Sequence, residues 1–196
     1  MKSGAVDIAL IGSLAVLWLT AGLIADGLPA SATAAALHRR ATLLTGVIAA
    51  GTAMLVAVPL VNLGRPGPEP AGTAIVLVCV PVAVVLTVGV RRLARVRRGA
   101  AALATAPLAP IPPGLTAGAA HPLIVVPTQV AGLAAVAGLP IAAGVIDVST
   151  ALLVAVVGGV AGLVAVAIAI RHGVRHSRLS VGAIAPIKRR PKQLVP

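Results

Sequence analysis

The sequence contains almost no aromatic residues. Phe and Tyr are absent, and Trp18, near the middle of an apolar stretch, is the only Trp. Helical membrane proteins usually carry Trp and Tyr at both interfaces, so the absence needs an explanation. Three explanations stay open at this point: a GC-rich genome, a surface covered by other subunits instead of lipid, and a reading frame without selected function.

Cysteine and acidic residues are also scarce, and this excludes several kinds of chemistry. Cys79 is the only cysteine, so one chain can build neither a disulfide nor a thiolate metal site. An intramembrane hydrolase needs a nucleophile with a base or paired carboxylates, whereas the 4 acids fall near span ends or in loops. Pumps and antiporters need ionisable groups inside the membrane. We therefore expect a protein that is not an enzyme and that has no cofactor and no metal.

The chain does contain five long apolar stretches without a charged residue. Its composition is 59% hydrophobic and 10% charged. Each stretch is about long enough to cross a hydrocarbon layer of ~30 Å as a helix. The predicted fold is an all-α, polytopic transmembrane helical bundle with five spans, at 8–25, 41–64, 70–90, 122–146 and 148–170.

The basic residues between these stretches predict the orientation. With the N-terminus outside, all but Lys2 and Arg65 of the 16 basic residues lie on the inner side, as the positive-inside rule requires. A cleaved signal peptide is the rival interpretation, since Lys2, the 8–25 stretch and Ala32-Thr33-Ala34 fit one. Cleavage would place the arginine-rich segments outside, against the rule. We expect an N-outside, C-inside protein of the cell (inner or plasma) membrane.

Proline and charge divide the chain into four parts. Residues 1–98 form a three-helix membrane unit whose last helix extends into the headgroups, and 122–170 form a helical hairpin. The Ala/Pro-rich segment 99–121 reads as an extended or flexible linker. The basic segment 171–196 reads as a tail, disordered beyond about residue 180.

The basic segments beside the spans are candidate contact surfaces. The formal charge of +12 could suggest nucleic acid, but beside apolar spans it predicts contacts to anionic lipid headgroups or to an acidic partner, and no nucleic-acid binding. His172 and His176 share a helix face, yet the surrounding arginines disfavour a metal, so we expect this face to meet headgroups as well. The candidate contact residues are Arg91, Arg92, Arg95, Arg97, Arg98, Arg171, Arg175 and Arg178.

Two polar residues fall inside the fourth span. Gln129 and Thr128 follow Pro127, and such groups can satisfy the carbonyl that a proline leaves without a donor or can bond between helices. The alternative is a polar vestibule for a small solute, with Pro81, Pro127 and Pro140 as kinks that let helices move.

Small residues recur at four-residue spacing and predict close helix packing. The fifth span contains Gly158-x-x-x-Gly162, and the fourth contains Ala134, Gly138 and Ala142. Together these features predict a non-catalytic membrane protein that acts as a packing or assembly subunit of a larger membrane complex. Its partners would be inner-side anionic lipids and other membrane subunits or copies of itself. The alternative function is a small permease or exporter for a neutral or apolar solute.

Overall fold

The protein is described by a computed structural model that covers residues 2–63, 70–106, 110–146 and 151–184. Within these ranges the structure is helical and has no strand. The helices are α1 (Lys2–Gly27), α2 (Ala34–Asn62), α3 (Pro70–Val84), α4 (Val90–Leu103), α5 (Pro113–Ala119), α6 (Pro122–Ala142) and α7 (Ala151–Ile184).

The connection between α1 and α2 is short and well capped. α1 ends at Gly27, and a 3₁₀ turn covers Leu28–Ala30, where Pro29 cannot continue the helix ladder. Thr33 caps α2 by accepting a hydrogen bond from the Ala36 backbone N–H at 3.2 Å. Arg40 in α2 donates to the Gly27 carbonyl at 2.7 Å, which satisfies an acceptor at the end of α1.

One continuous helix joins α3 to α4 through a π-helical turn at Val85–Gly89. Pro81 lies just before the turn and removes one N–H from the ladder. Thr87 donates its hydroxyl to the Ala83 carbonyl at 2.7 Å. The predicted continuation of the third span through 91–98 is confirmed, since α4 runs to Leu103.

α6 lies at the centre of the bundle, where it packs most extensively against α1 and α3 and also against α7. Glycine permits these approaches. A Cβ at Gly132 would lie 2.8 Å from the Leu19 backbone nitrogen of α1, and one at Gly138 would lie 3.1 Å from the Ala74 Cβ of α3. The stripe of small residues predicted in the fourth span is therefore a packing surface, with Ala134 and Ala142 also buried.

The outer surface of the bundle is covered by large aliphatic side chains. Leu23, Val76 and Val80 are 74%, 65% and 72% exposed. In water so much exposed apolar surface would be unfavourable, but in lipid it is the expected exterior. In the described part of the chain, four helices are long and apolar enough to cross a membrane: Ala5–Ala30, Ala34–Asn62, Ala74–Leu103 and Pro113–Ala142.

The structure corrects two predicted boundaries. The 99–121 segment is not simply an extended linker, because α4 continues to Leu103 and residues 113–119 form α5, with Pro113 at its first turn. The tail is helical to Ile184 as part of α7. Composition predicted disorder, whereas contacts of α7 with α5 and α6 support the helix. The segments 107–109 and 185–196 lie outside the described residues.

Candidate functional site at the basic end of the bundle

One end of the bundle gathers the basic segments of α2, α4 and α7. His38 of α2 donates through Nδ1 to the Arg97 carbonyl of α4 at 3.2 Å. His176 of α7 donates through Nδ1 to the Ala117 carbonyl of α5 at 3.0 Å. The side that the charges were predicted to share is thus a single physical end of the molecule, which we call the basic end.

An ion pair at the basic end ties α7 to α1. The Arg175 guanidinium donates to Asp26 Oδ1 at 2.8 Å and also to the Asp26 carbonyl at 3.4 Å. The side chains are 37% and 33% exposed, so solvent screens the pair and its net contribution is about 0–1 kcal/mol. Asp26 is the second-last residue of α1, and Arg175 is 149 positions away along the chain.

His172 is the buried centre of this cluster. It is 1% exposed, and its Nε2–H donates to Gln129 Oε1 of α6 at 3.2 Å. Its other nitrogen, Nδ1, lies 4.0 Å from Asp26 Oδ1. The cluster of Asp26, Gln129, His172 and Arg175, which we call the polar clasp, therefore joins α1, α6 and α7.

Burial favours the neutral imidazole. Desolvation lowers the pKa of His172 below its ordinary value, and Arg171 and Arg175 lower it further, while the Asp26 carboxylate opposes them. With Nε2–H directed at Gln129, the neutral ring presents an unprotonated Nδ1 toward Asp26. A proton added at Nδ1 would face the carboxylate and compete with Arg175 for it.

The structure corrects the expectation that the α7 face with His172 and His176 meets lipid headgroups. His172 faces the bundle interior and not the headgroups, and a carboxylate remote in sequence lies beside it. His176 is half-buried and its ring lies 4.9 Å from that of His121, centroid to centroid. His121 caps α6, because its Nδ1 accepts from the Leu123 N–H at 3.1 Å. The rest of the α7 basic face does reach the surface, through Arg171 and Arg178.

The predicted arginines differ in their environments. Arg91, Arg95 and Arg98 of α4 are exposed. Arg92 is half-buried, and within the described residues its Nε is a buried donor without a hydrogen-bond partner. Arg97 is also half-buried. Their contacts with anionic headgroups or an acidic partner stay predictions.

The two polar residues of the fourth span are used inside the protein. Thr128 is buried and donates to the carbonyls of Ile124 and Val125, at 3.0 and 2.7 Å. Gln129 bonds to His172 and packs against α1, where a Cβ at Gly22 would lie 3.0 Å from its Cγ. These contacts match the interpretation in which both residues satisfy backbone and interhelical groups.

Gly159 and Gly162 of the fifth span have no close neighbour among the described residues. Gly162 is exposed, and nothing lies within 4 Å of a Cβ placed there, as also at Gly159. The surroundings of Gly158 are outside the described residues. The close approaches between helices in the described chain are made instead by Gly22, Gly132 and Gly138. Contact with another subunit stays a prediction.

The chemistry available at the basic end is binding and helix docking. Among the described residues no group of three or more His, Cys, Asp or Glu side chains is placed to hold a metal ion. The polar clasp holds three helices together and leaves Arg171 and Arg178 at the surface. Comparisons with protein-family models, curated proteins and solved structures give no match to this chain.

Sequence reasoning missed the polar clasp because its members are far apart along the chain. His172 and Gln129 are 43 positions apart, and Asp26 lies one residue beyond the first predicted span. One signal was present: Asp26 is the only acid on the predicted inner side, where every other charge is basic. That lone acid is the residue that pairs with Arg175 in the structure.

Proposed function

We propose that this protein is a non-catalytic assembly subunit of a larger membrane complex, with five spans, its N-terminus outside and its basic end inside. The observation that carries the proposal is an exposed glycine face in the outer half of α7. There the helix presents Gly159 and Gly162 on an exposed face without a partner in the described chain. Glycine gives lipid little to pack against, whereas it lets another transmembrane helix approach closely.

The same half of α7 has the composition and length expected of the fifth span. Residues 151–170 contain no charge and, at 1.5 Å per residue, extend about 30 Å. The helix then passes into the basic end, where Arg175 and His172 join the bundle. An odd number of spans places the two termini on opposite sides, which agrees with the charge distribution that motivates the orientation.

The polar clasp favours assembly over transport. Gln129, the candidate residue for a solute vestibule, has its oxygen occupied by His172, and Thr128 is occupied by its own helix. The polar groups within the helices thus serve packing between them. A bundle in which Gly159 and Gly162 of one helix have no close neighbour among the described residues fits a subunit that packs against another membrane protein.

The test is purification of the tagged full chain in a mild detergent, followed by native mass spectrometry. We expect stoichiometric copies of a membrane partner or of the chain itself, lost in Gly162→Leu. Gly46→Leu is the matched control, because Gly46 is also an exposed helical glycine with nothing within 4 Å of a Cβ. A monomer without partners, or equal behaviour of the two variants, would contradict the proposal. A homo-oligomer stabilised by a neutral solute would favour the permease.

A further inference from the structure

A groove of about 550 Å³ opens at the basic end beside the polar clasp. It combines three arginines from one helix with three apolar side chains. Its lining residues are Pro29, Arg171, Val174, Arg175, Arg178 and Leu179.

The charge of the groove is positive and only partly compensated. Arg175 is paired with Asp26, whereas Arg171 and Arg178 form no ion pair within the described ranges. Asp7, the other described acid, lies 19 residues earlier on α1, about 28 Å away along the helix. Two free guanidinium groups, seven positions apart on the same side of α7, therefore face an open volume, and guanidinium binds phosphate oxygens in a bidentate manner.

The apolar part of the groove indicates which class of phosphate compound fits it. Val174 and Leu179 line the groove together with the arginines. Toward the membrane interior, Ile170 and Val166 continue an exposed aliphatic strip on α7, 62% and 57% exposed. Positions 166, 170 and 174 follow the four-residue spacing of one helix side. A ligand with a phosphate head and a hydrocarbon tail would meet the arginines and this strip at once.

We propose that this groove is a specific site for one anionic phospholipid, whose phosphodiester binds Arg171 and Arg178 and whose acyl chain lies along Val174, Ile170 and Val166. Arg175 stays on Asp26 and supplies the wall of the site. The inference requires only that the chain spans a membrane, so it does not depend on the assembly function.

The experiment is native mass spectrometry of the full chain, released from detergent with added phosphatidylglycerol, phosphatidylcholine or glycerol 3-phosphate. We expect one phosphatidylglycerol to be retained in preference to phosphatidylcholine. Arg171→Gln with Arg178→Gln should weaken this first binding event roughly 30-fold, about fivefold for each arginine. Added salt should weaken it as well.

Arg39→Gln with Arg40→Gln is the matched control, because it removes the same charge from two exposed arginines at the basic end that neither line the groove nor belong to the candidate contact residues. It should leave the first binding constant unchanged. An equal loss in both double variants would mean a general field effect and would overturn the site. Equal binding of glycerol 3-phosphate would assign the groove to a soluble phosphate, and copurification of an acidic protein in place of lipid would assign it to a protein partner; either outcome overturns the proposal. If the double variant does not fold, the wild-type chain still tests the proposal. Equal retention of phosphatidylcholine and phosphatidylglycerol by the wild type would overturn it.

Discussion

At the scale of the residue, glycine decides how near the helices come. Gly132 and Gly22 bring α1 and α6 so close that a Cβ at either would lie 2.8–3.0 Å from atoms of the other helix. Four-residue spacing in the sequence indicated such contacts but could not say which glycines make them, because Ala and Gly are abundant in every span. Which glycines make these contacts depends on which helix faces meet, and the arrangement of the whole bundle determines that.

Gly132→Ala should therefore destabilise the protein. The added methyl group would press on the Leu19 backbone, which cannot rotate away as a side chain can. We expect a loss of about 1–3 kcal/mol, the usual range for overpacking. Thermal unfolding in detergent measures it, with Gly46→Ala as the control, since nothing lies within 4 Å of a Cβ there. Equal midpoints for the two variants would refute the close approach.

His172 makes stability depend on pH. Burial lowers its pKa in the folded protein, so below the ordinary value of about 6.5 the unfolded chain binds a proton that the folded chain resists. Stability should thus rise with pH up to about 6.5 and be lost progressively as pH falls below it.

The measurement is the unfolding midpoint in detergent between pH 5 and 8, for the wild type and for His172→Gln. The variant should lose less stability on acidification, since glutamine does not titrate. His38→Gln, which alters a histidine on the α2–α4 contact, should keep the wild-type dependence. Parallel profiles for the wild type and His172→Gln would show that the buried imidazole is not the cause.

At the scale of the element, α7 is the helix that the sequence described least well. Its basic segment read as a disordered tail because charge and proline are typical of disorder, yet the helix runs to Ile184. The contacts that hold it, Arg175 with Asp26 and His172 with Gln129, join residues remote in sequence. The apolar spans were predictable since each depends on local composition, whereas the clasp depends on the arrangement of three helices.

Asp26→Asn should loosen the C-terminal half of α7. The change leaves the Arg175 guanidinium without its carboxylate at 2.8 Å, so amides of residues 171–184 should exchange hydrogen faster. Reversing the pair, with Asp26→Arg and Arg175→Asp together, should restore part of the protection. Arg91→Gln, an exposed arginine outside the clasp, should have no effect. Unchanged exchange in Asp26→Asn would mean that the ion pair does not dock α7.

At the scale of the whole molecule, the bundle has small residues inside, large aliphatic residues outside and most of its described basic residues at one end, an arrangement that fits a membrane. The helical fold and its apolar exterior could be predicted from hydropathy and charge alone. The position of α6 at the centre could not, because the chain order suggested a separate hairpin of the last two spans. Its close contacts with α1 and α3 arise from Gly132 and Gly138.

We propose that the chain crosses the membrane five times with its basic end inside, and this topology can be tested directly. It is tested most directly by labelling single cysteines at the two termini, Ser3→Cys and Gln193→Cys, in intact cells, with Cys79→Ser as the background. A membrane-impermeant thiol reagent should label position 3 from outside, and position 193 only after the membrane is opened. Labelling of both positions from the same side of the membrane would contradict the five-span topology.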